Sequence, residues 1–274
     1  MKRCALLATI VVASCSLADP GVTTLRFTPS APTKAAIGSY FTKLNLMLFN
    51  EDGVRVFDKV QTQTVSDSNF GSFEFSLQEG KYTVVAVGHS SAISATIKSP
   101  EAVQFTASNG EKLTDTFCYC GDIDVGEKGQ THSLVMNRVA AMFRLWLTDT
   151  APSTVAKMKF DYTGGSANFN PSTSQGITKS TQSETRAFNP NGIYEVYTFP
   201  YLSTSGTLKM TVTALSADGT TIRQREFTNV PMAINTITTY TGPFFQDGDG
   251  EITQSSFGFT VNGDWASEQT TPFN

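Results

Sequence analysis

Few residues in this chain have the types and spacing that chemistry demands. Two histidines occur among 274 residues, against twenty phenylalanines, so imidazole-based acid–base or metal chemistry has little to work with. The run Val87-Gly88-His89-Ser90-Ser91-Ala92 has the outline of a nucleophile elbow, but the second glycine is missing and no strand–helix alternation surrounds it. His132 follows Ser90 too soon for the usual order with an intervening acid. Asp247-Gly248-Asp249-Gly250-Glu251 begins like a calcium loop, since closely spaced oxygens suit a hard cation. It lacks the third ligand before the glycine and the closing glutamate, and reads as a polar hairpin connection. Cys118 and Cys120 are one residue apart, so on a strand both thiols point to one face with alpha carbons near the upper limit for a disulfide. No further Cys or His follows at metal-ligand spacing, and two free thiols are expected. The sequence therefore offers no catalytic residue, no metal site and no cofactor site.

A different chemistry is written at the N-terminus. Met1-Lys2-Arg3 is basic, Ala5 to Ala13 is apolar, and the run closes on Val12-Ala13-Ser14-Cys15. Some nine apolar residues are too few to span a bilayer, which needs roughly 20, so this is an export signal rather than a membrane helix. Its end resembles the lipobox of bacterial lipoproteins, in which small residues admit signal peptidase II and the cysteine becomes the acylated N-terminus. The expectation is a signal peptide over residues 1–14 and a lipid anchor on Cys15. Each buried methylene of the acyl chains contributes about 0.8 kcal/mol, and several chains together hold a protein durably on a bilayer. Removing Lys2 and Arg3 moves the formal charge from −4 to −6. So acidic a chain is not built to neutralise phosphates, and nucleic acid is excluded as a partner.

The elements behind these residues repeat with period two. Leu44, Leu46 and Leu48 alternate with Lys43, Asn45 and Met47; Phe73, Phe75 and Leu77 with Glu74 and Ser76; Tyr82, Val84 and Ala86 continue the pattern. Ala156 to Tyr162, Leu208 to Ala214 and Phe257, Phe259 and Val261 do the same later in the chain. These are half-buried strands, and helical periodicity is nearly absent, so the fold class is all-β. Asp52-Gly53 and Asp218-Gly219 sit between extended runs and predict two-residue hairpins. Each is followed by a strand ending in glycine, Gly88 and Gly242, which suggests a topological repeat and two β-sandwiches. Polar Gly126 to Ser133 marks the handover, giving domains over residues 15–137 and 138–274. Gly164 to Thr185, rich in Ser, Thr, Asn and Gln, reads as a long exposed loop. Phe257 to Val261, followed by Trp265 and a polar tail to Asn274, either completes its own sandwich or swings out to a neighbour.

In order along the chain stand the lipobox, Leu44-Asn45-Leu46-Met47-Leu48-Phe49-Asn50-Glu51-Asp52-Gly53, Phe75 to Tyr82, Leu113 to Phe117 with Gly121, Leu134 to Ala141, and Val230-Pro231 through Gly242. Together they resemble the fimbrial subunits of Bacteroidetes, especially the FimB/Mfa2 family of pilus anchor and minor subunits. That resemblance implies two transthyretin-like sandwiches in tandem, an outer-membrane lipoprotein at the surface or fimbrium base, and assembly with other fimbrial subunits by β-strand addition. It also implies a question about Arg26, because shaft pilins of this type lose their first strand to an arginine-specific protease. Arg26 lies within the alternating run Val22 to Thr28, which reads as a strand, so it is expected to stay uncut. Asp149-Thr150-Ala151 resembles the short O-glycosylation sequon of exported proteins in those bacteria. A second function class is glycan binding, with Trp146, Tyr162, Tyr194, Tyr197 or Trp265 as stacking platforms.

Overall fold

The computed structural model describes residues 22–30, 37–63, 70–106, 113–126, 128–203, 205–246, 255–257 and 265–273. Twenty strands and one 3-10 turn, Ile37–Ser39, account for its regular structure, with no α-helix among the described residues. The first ten strands are β1 (Val22–Ser30), β2 (Lys43–Asn50), β3 (Arg55–Thr62), β4 (Phe73–Gln78), β5 (Gly80–His89), β6 (Ala95–Ser99), β7 (Ala102–Phe105), β8 (Thr116–Val125), β9 (Gln130–Val135) and β10 (Asn137–Arg138). The rest are β11 (Ala141–Leu147), β12 (Lys157–Ser166), β13 (Asn168–Phe169), β14 (Lys179–Ala187), β15 (Ile193–Pro200), β16 (Ser205–Leu215), β17 (Thr221–Ala233), β18 (Thr236–Gly242), β19 (Ser255–Phe257) and β20 (Ser267–Pro272). The all-β expectation holds.

The early strands form three layers. A front sheet has the order β4-β1-β9, a central sheet β10-β8-β5-β2-β3, and a back sheet β13-β7-β6. Between front and central sheets lies a core of Leu44, Leu46, Leu48, Phe73, Leu77, Val84, Ala86, Phe117, Ile123 and Leu134. The other face of the same central strands is also buried. Met47, Phe49, Val85, Val87 and Cys118 pack there against Ile97, Val103 and Phe105 of the back sheet. β2 is thus buried on both faces from Leu44 to Phe49, where the alternation in the sequence predicts one buried face. A layer between two others has no solvent side, so Asn45 is buried at 7% exposure.

The later strands form one nine-stranded sheet that folds over on itself. β17-β16-β12-β14 makes one leaf and β15-β11-β18-β20-β19 the other, joined where Gly165 and Ser166 of β12 pair with Pro200 and Phe199 of β15. The two leaves enclose Phe143, Leu145, Phe160, Tyr162, Val196, Met210, Val212, Phe227, Tyr240 and Phe273. This core shares no residue with the early one. What joins them is the back layer: β13, from the later strands, pairs with β7, and Val139, Ala140, Phe169 and Phe199 are buried in the same cluster as Met47 and Val87. Burying each large apolar side chain contributes about 1.5–3 kcal/mol, and an apolar interface of this kind makes the two halves one body.

A repeat is present, in a different alignment from the one the hairpins suggest. β1 lies between β4, antiparallel, and β9, parallel; β11 lies between β15, antiparallel, and β18, parallel. The facing layers follow suit, β3-β2-β5-β8 against β14-β12-β16-β17. The Asp52-Gly53 hairpin joins β2 to β3 and its counterpart is β12 to β14, whereas Asp218-Gly219 joins β16 to β17. Gly242 ends β18, which pairs with β11 rather than with that hairpin. Both hairpins are three-residue loops rather than two-residue ones. The N–H of Gly53 donates to Asn50 O and that of Asn50 to Val54 O; Gly219 and Ser216 repeat this with Ser216 and Thr220. Only the glycine of each Asp-Gly pair needs positive φ, 71° and 92°, as a type I turn with a bulge requires.

One further expectation is corrected. Gly164 to Thr185 is largely strand: it holds the end of β12, β13 and most of β14. Polar side chains there have structural work, since Tyr162 Oη donates toward Glu184 Oε1 at 2.8 Å and Gln182 Oε1 at 2.9 Å. The polar tail after Trp265 is strand as well. β20 runs parallel to β18 from Ser267 to Pro272 and delivers Phe273, 2% exposed, into the later core. Of Phe257, Phe259 and Val261, only Phe257 falls within the described residues, in β19.

Candidate functional site

The first described strand, β1, is the central strand of the front sheet. It pairs with β4 from Val22 opposite Gln78 to Phe27 opposite Phe73, and with β9 from Leu25 opposite Gln130 to Ser30 opposite Val135. A strand in this position satisfies a ladder on each side. Its removal would leave β4 and β9 bordering an open slot above Phe73, Leu77 and Leu134. Arg26 is exposed and stands opposite Glu74 and Thr131. Arg26 is thus held in extended ladder pairing on both sides. Cys15 and residues 1–14 lie outside the described residues, as does the Asp247 to Glu251 run.

The other end of the chain is fixed by close packing. The N–H of Phe273 donates to Thr241 O at 2.8 Å. A β-carbon on Gly242 would stand 1.7 Å from Phe273 O, so only glycine admits the C-terminal strand here. On the outer face, Arg144 of β11 donates from Nη2 to Glu195 Oε1 of β15 and from Nη1 to Glu268 Oε1 of β20, both at 3.0 Å. Glu268 also accepts from Thr239 Oγ1 of β18.

Sequence reasoning missed the polar centre of the molecule. The Arg138 side chain is 6% exposed. Its Nε donates to both carboxylate oxygens of Asp115 at 2.9 and 3.0 Å, and its Nη1 to Asn235 Oδ1 at 2.9 Å. The guanidinium lies 4.7 Å from the Phe117 ring centroid and 4.1 Å from that of Trp265. Burial pushes the Asp115 carboxyl above its ordinary range in spite of Arg138. Asn235 adopts φ of 56° in the turn between β17 and β18, and its N–H donates to Ala140 O. One arginine thus ties β8 and β10 to the β17–β18 turn and to the segment before β20. The available signal was a lone arginine inside the apolar stretch Leu134 to Phe143, which has to find a partner if it is buried.

The motifs set aside on sequence grounds have structural explanations. Gly88 accommodates the Phe41 ring, which a β-carbon would meet at 2.6 Å. His89 is 1% exposed and edge-on to Phe105 at 5.1 Å between centroids, with no hydrogen-bond partner for either ring nitrogen among the described residues. Burial, with Lys43 nearby, lowers its pKa to about 4. Ser90 Oγ accepts from the N–H of Thr42 at 3.1 Å, and His132 is on β9 in another sheet. Asp149 accepts the backbone N–H groups of Phe244, Phe245 and Gln246 at 2.9, 2.6 and 3.0 Å, holding the chain after β18; Thr150 beside it is exposed. Cys118 is buried and Cys120 half-buried, and both are free thiols. Burial pushes both thiols up, which makes them poor nucleophiles. Among the five candidate aromatic platforms, Tyr162 and Tyr194 are core residues and Tyr197 and Trp265 face each other at 6.2 Å. Trp146 alone is exposed, at 49%.

Comparison with known proteins bears on this geometry. A family model described as fimbrillin-A associated anchor proteins Mfa1 and Mfa2 matches residues 15–271. No curated protein sequence matches the chain. Among solved structures, a candidate polysaccharide binding protein from Bacteroides thetaiotaomicron superposes with a TM-score of 0.53 at 11% identity, covering 76% of this chain and 80% of that one. Two candidate adhesins from Bacteroides ovatus are also similar. One has a TM-score of 0.52 at 14% identity over 76% of this chain and 82% of its own. The other has 0.51 at 12% identity over 75% and 77%. These are likenesses of fold.

Proposed function

The chain belongs to the family of fimbrillin-A associated anchor proteins, and on that footing we propose that it is an anchoring or minor structural subunit of a fimbria. In this reading residues 1–14 are a signal peptide, Cys15 carries the lipid that holds the protein in the outer membrane, and other fimbrial subunits join it by β-strand addition. The units 15–137 and 138–274 are its two sandwiches, each supported by a core of its own. It supports adhesion as a scaffold, without a catalytic centre. The observation that carries the anchoring role is the seat of β1, paired on both sides with Arg26 inside the ladder. A subunit that keeps its first strand keeps whatever is attached before it, and so stays tethered.

The test is the N-terminus of the protein isolated from cells. Mass spectrometry is expected to find acylated Cys15 as the first residue, and Cys15→Ala is expected to leave the protein out of the membrane fraction. A free N-terminus at Phe27 overturns the anchoring role. Glycan binding is favoured by one observation, the exposed Trp146 beside Ile193, which is 39% exposed. Loss of binding to a glycan array on Trp146→Ala would support it, and an empty array would remove it.

A further inference from the structure

One polar cluster lies inside the later half and takes no part in the anchoring role. Tyr162 of β12, Gln182 and Glu184 of β14, and Thr198 of β15 meet there, with Tyr162 and Thr198 1% and Glu184 2% exposed and Gln182 half-buried. β14 and β15 belong to different leaves; each pairs with β12, at different points along it. Gln182 Nε2 donates to Thr198 Oγ1 at 3.4 Å, while its carbonyl Oε1 lies 2.9 Å from the Tyr162 hydroxyl. That hydroxyl also reaches Glu184 Oε1 at 2.8 Å, and Arg186 Nη2 holds the other oxygen of Glu184 at 2.6 Å. Burial, with the Glu184 charge beside it, pushes the phenol well above its ordinary pKa, so it keeps its proton and can donate it. Gly165 makes room for Thr198, since a β-carbon there would stand 2.0 Å from Oγ1, and the Thr198 hydroxyl donates to Ser166 O at 3.2 Å. A hydroxyl, a carboxamide and a protonated phenol are thus gathered away from bulk water.

We propose that this cluster forms a covalent cross-link in the folded chain, an ester between Thr198 Oγ1 and the side-chain carbonyl of Gln182. Thr198 Oγ1 adds to Gln182 Cδ, so that a C–O bond forms and the C–N bond to Nε2 breaks. The hydroxyl proton goes to that nitrogen, which departs as ammonia through the half-buried side of Gln182. No oxidant, metal or activated donor is consumed, and the step happens once per molecule. As charge develops on Oε1, the Tyr162 hydroxyl turns to it from Glu184; a donor already in place in a water-poor site is where such help is strongest. Glu184, pinned by Arg186, holds the phenol in position until then. Addition starts from roughly 3–3.5 Å between reacting atoms. Cδ lies one bond beyond the nitrogen that Oγ1 already meets, so a small rotation of the Gln182 side chain completes the approach. Burial of Thr198 then keeps water from the ester, and ammonia lost to solvent does not return. The bond staples β14 to β15 where the sheet folds over on itself, and it stands or falls separately from the role of β1.

Peptide mass spectrometry on the protein isolated from cells tests it. Trypsin cuts after Lys179, Arg186 and Lys209, so Gln182 and Thr198 fall on separate peptides, 180–186 and 187–209. The two are expected as a joined pair, about 17 Da lighter than their sum through loss of ammonia, and mild alkali is expected to part them with a glutamate at position 182. Thr198→Val is expected to abolish the joined pair and Thr198→Ser to retain it. Tyr162→Phe is expected to slow its appearance after synthesis about 100-fold, and an unchanged rate overturns the part assigned to the phenol. Both peptides found apart at full mass in the unaltered protein overturn the proposal, whether or not any variant folds. So does a deficit carried by 187–209 alone, which would place the loss of ammonia at Asn191-Gly192. A joined pair that survives Thr198→Val overturns it as well.

Discussion

His89 shows what a buried titratable group does when it has no chemistry to perform. Its folded pKa of about 4 lies below the unfolded value of 6.5, so as pH falls the unfolded chain takes up the proton first. Stability from this residue is complete above about pH 6.5 and is lost progressively down to pH 4, by about 3 kcal/mol in all. The groups around it act in the same sense: Lys43, its register partner, is cationic, while Thr116 and Phe105 offer no counter-charge. His89→Leu is expected to flatten the decline in urea midpoint between pH 6.5 and pH 4. An unchanged slope would assign that decline to the carboxylates. Asp115 works in the opposite direction, because burial raises its folded pKa and favours the folded state as pH falls. Neither behaviour was legible in the sequence, where His89 stood beside serines and looked chemical. What was legible was the absence of its partners.

At the scale of elements, the C-terminal strand depends on one contact. Gly242→Ala places a methyl group against the Phe273 carbonyl, and overpacking of this kind costs typically 1–3 kcal/mol. The variant is expected to release β20, read as faster hydrogen exchange from Ser267 to Thr271 and as red-shifted tryptophan emission when Trp265 leaves Arg138. Normal protection of those amides would mean that the strand shifts without leaving. β20 and β14 were also the elements hardest to read. Ser-Glu-Gln-Thr-Thr-Pro and Lys-Ser-Thr-Gln-Ser-Glu-Thr lack the apolar alternation that marks a half-buried strand, because their side chains bind polar neighbours: Glu268 holds Arg144, and Glu184 accepts from Tyr162. β2 failed in the other direction. Its leucines predicted a single buried face, and Asn45 concealed the second by satisfying Ala95 O inside it. Alternation gives the strands reliably, but the number of layers depends on contacts remote in sequence.

For the whole molecule the deciding layer is the back one, where Phe199 packs on Phe169 at 4.7 Å and on Phe105 at 5.8 Å. Phe199→Ala is expected to cost about 3–5 kcal/mol and to lower one shared unfolding transition, with the amides of β5 and β16 becoming exchangeable together. Two separated transitions would show halves that unfold independently. Two sets of apolar runs were legible in the sequence, but polar Gly126 to Ser133, expected to divide them, runs into β9, which pairs with β1 in the front sheet. The layer that binds the two cores was not legible, because it is assembled from Met47, Val87, Val103, Ala140, Phe169 and Phe199, which no local pattern links. β1 has a mechanical consequence of its own. It is the first described strand, and a pull on its N-terminal end along its own axis loads six register pairs with β4 and six with β9 side by side. Bonds arranged in this way yield together rather than one after another, so a pull applied to the chain before Val22 is borne by both ladders of β1 at once.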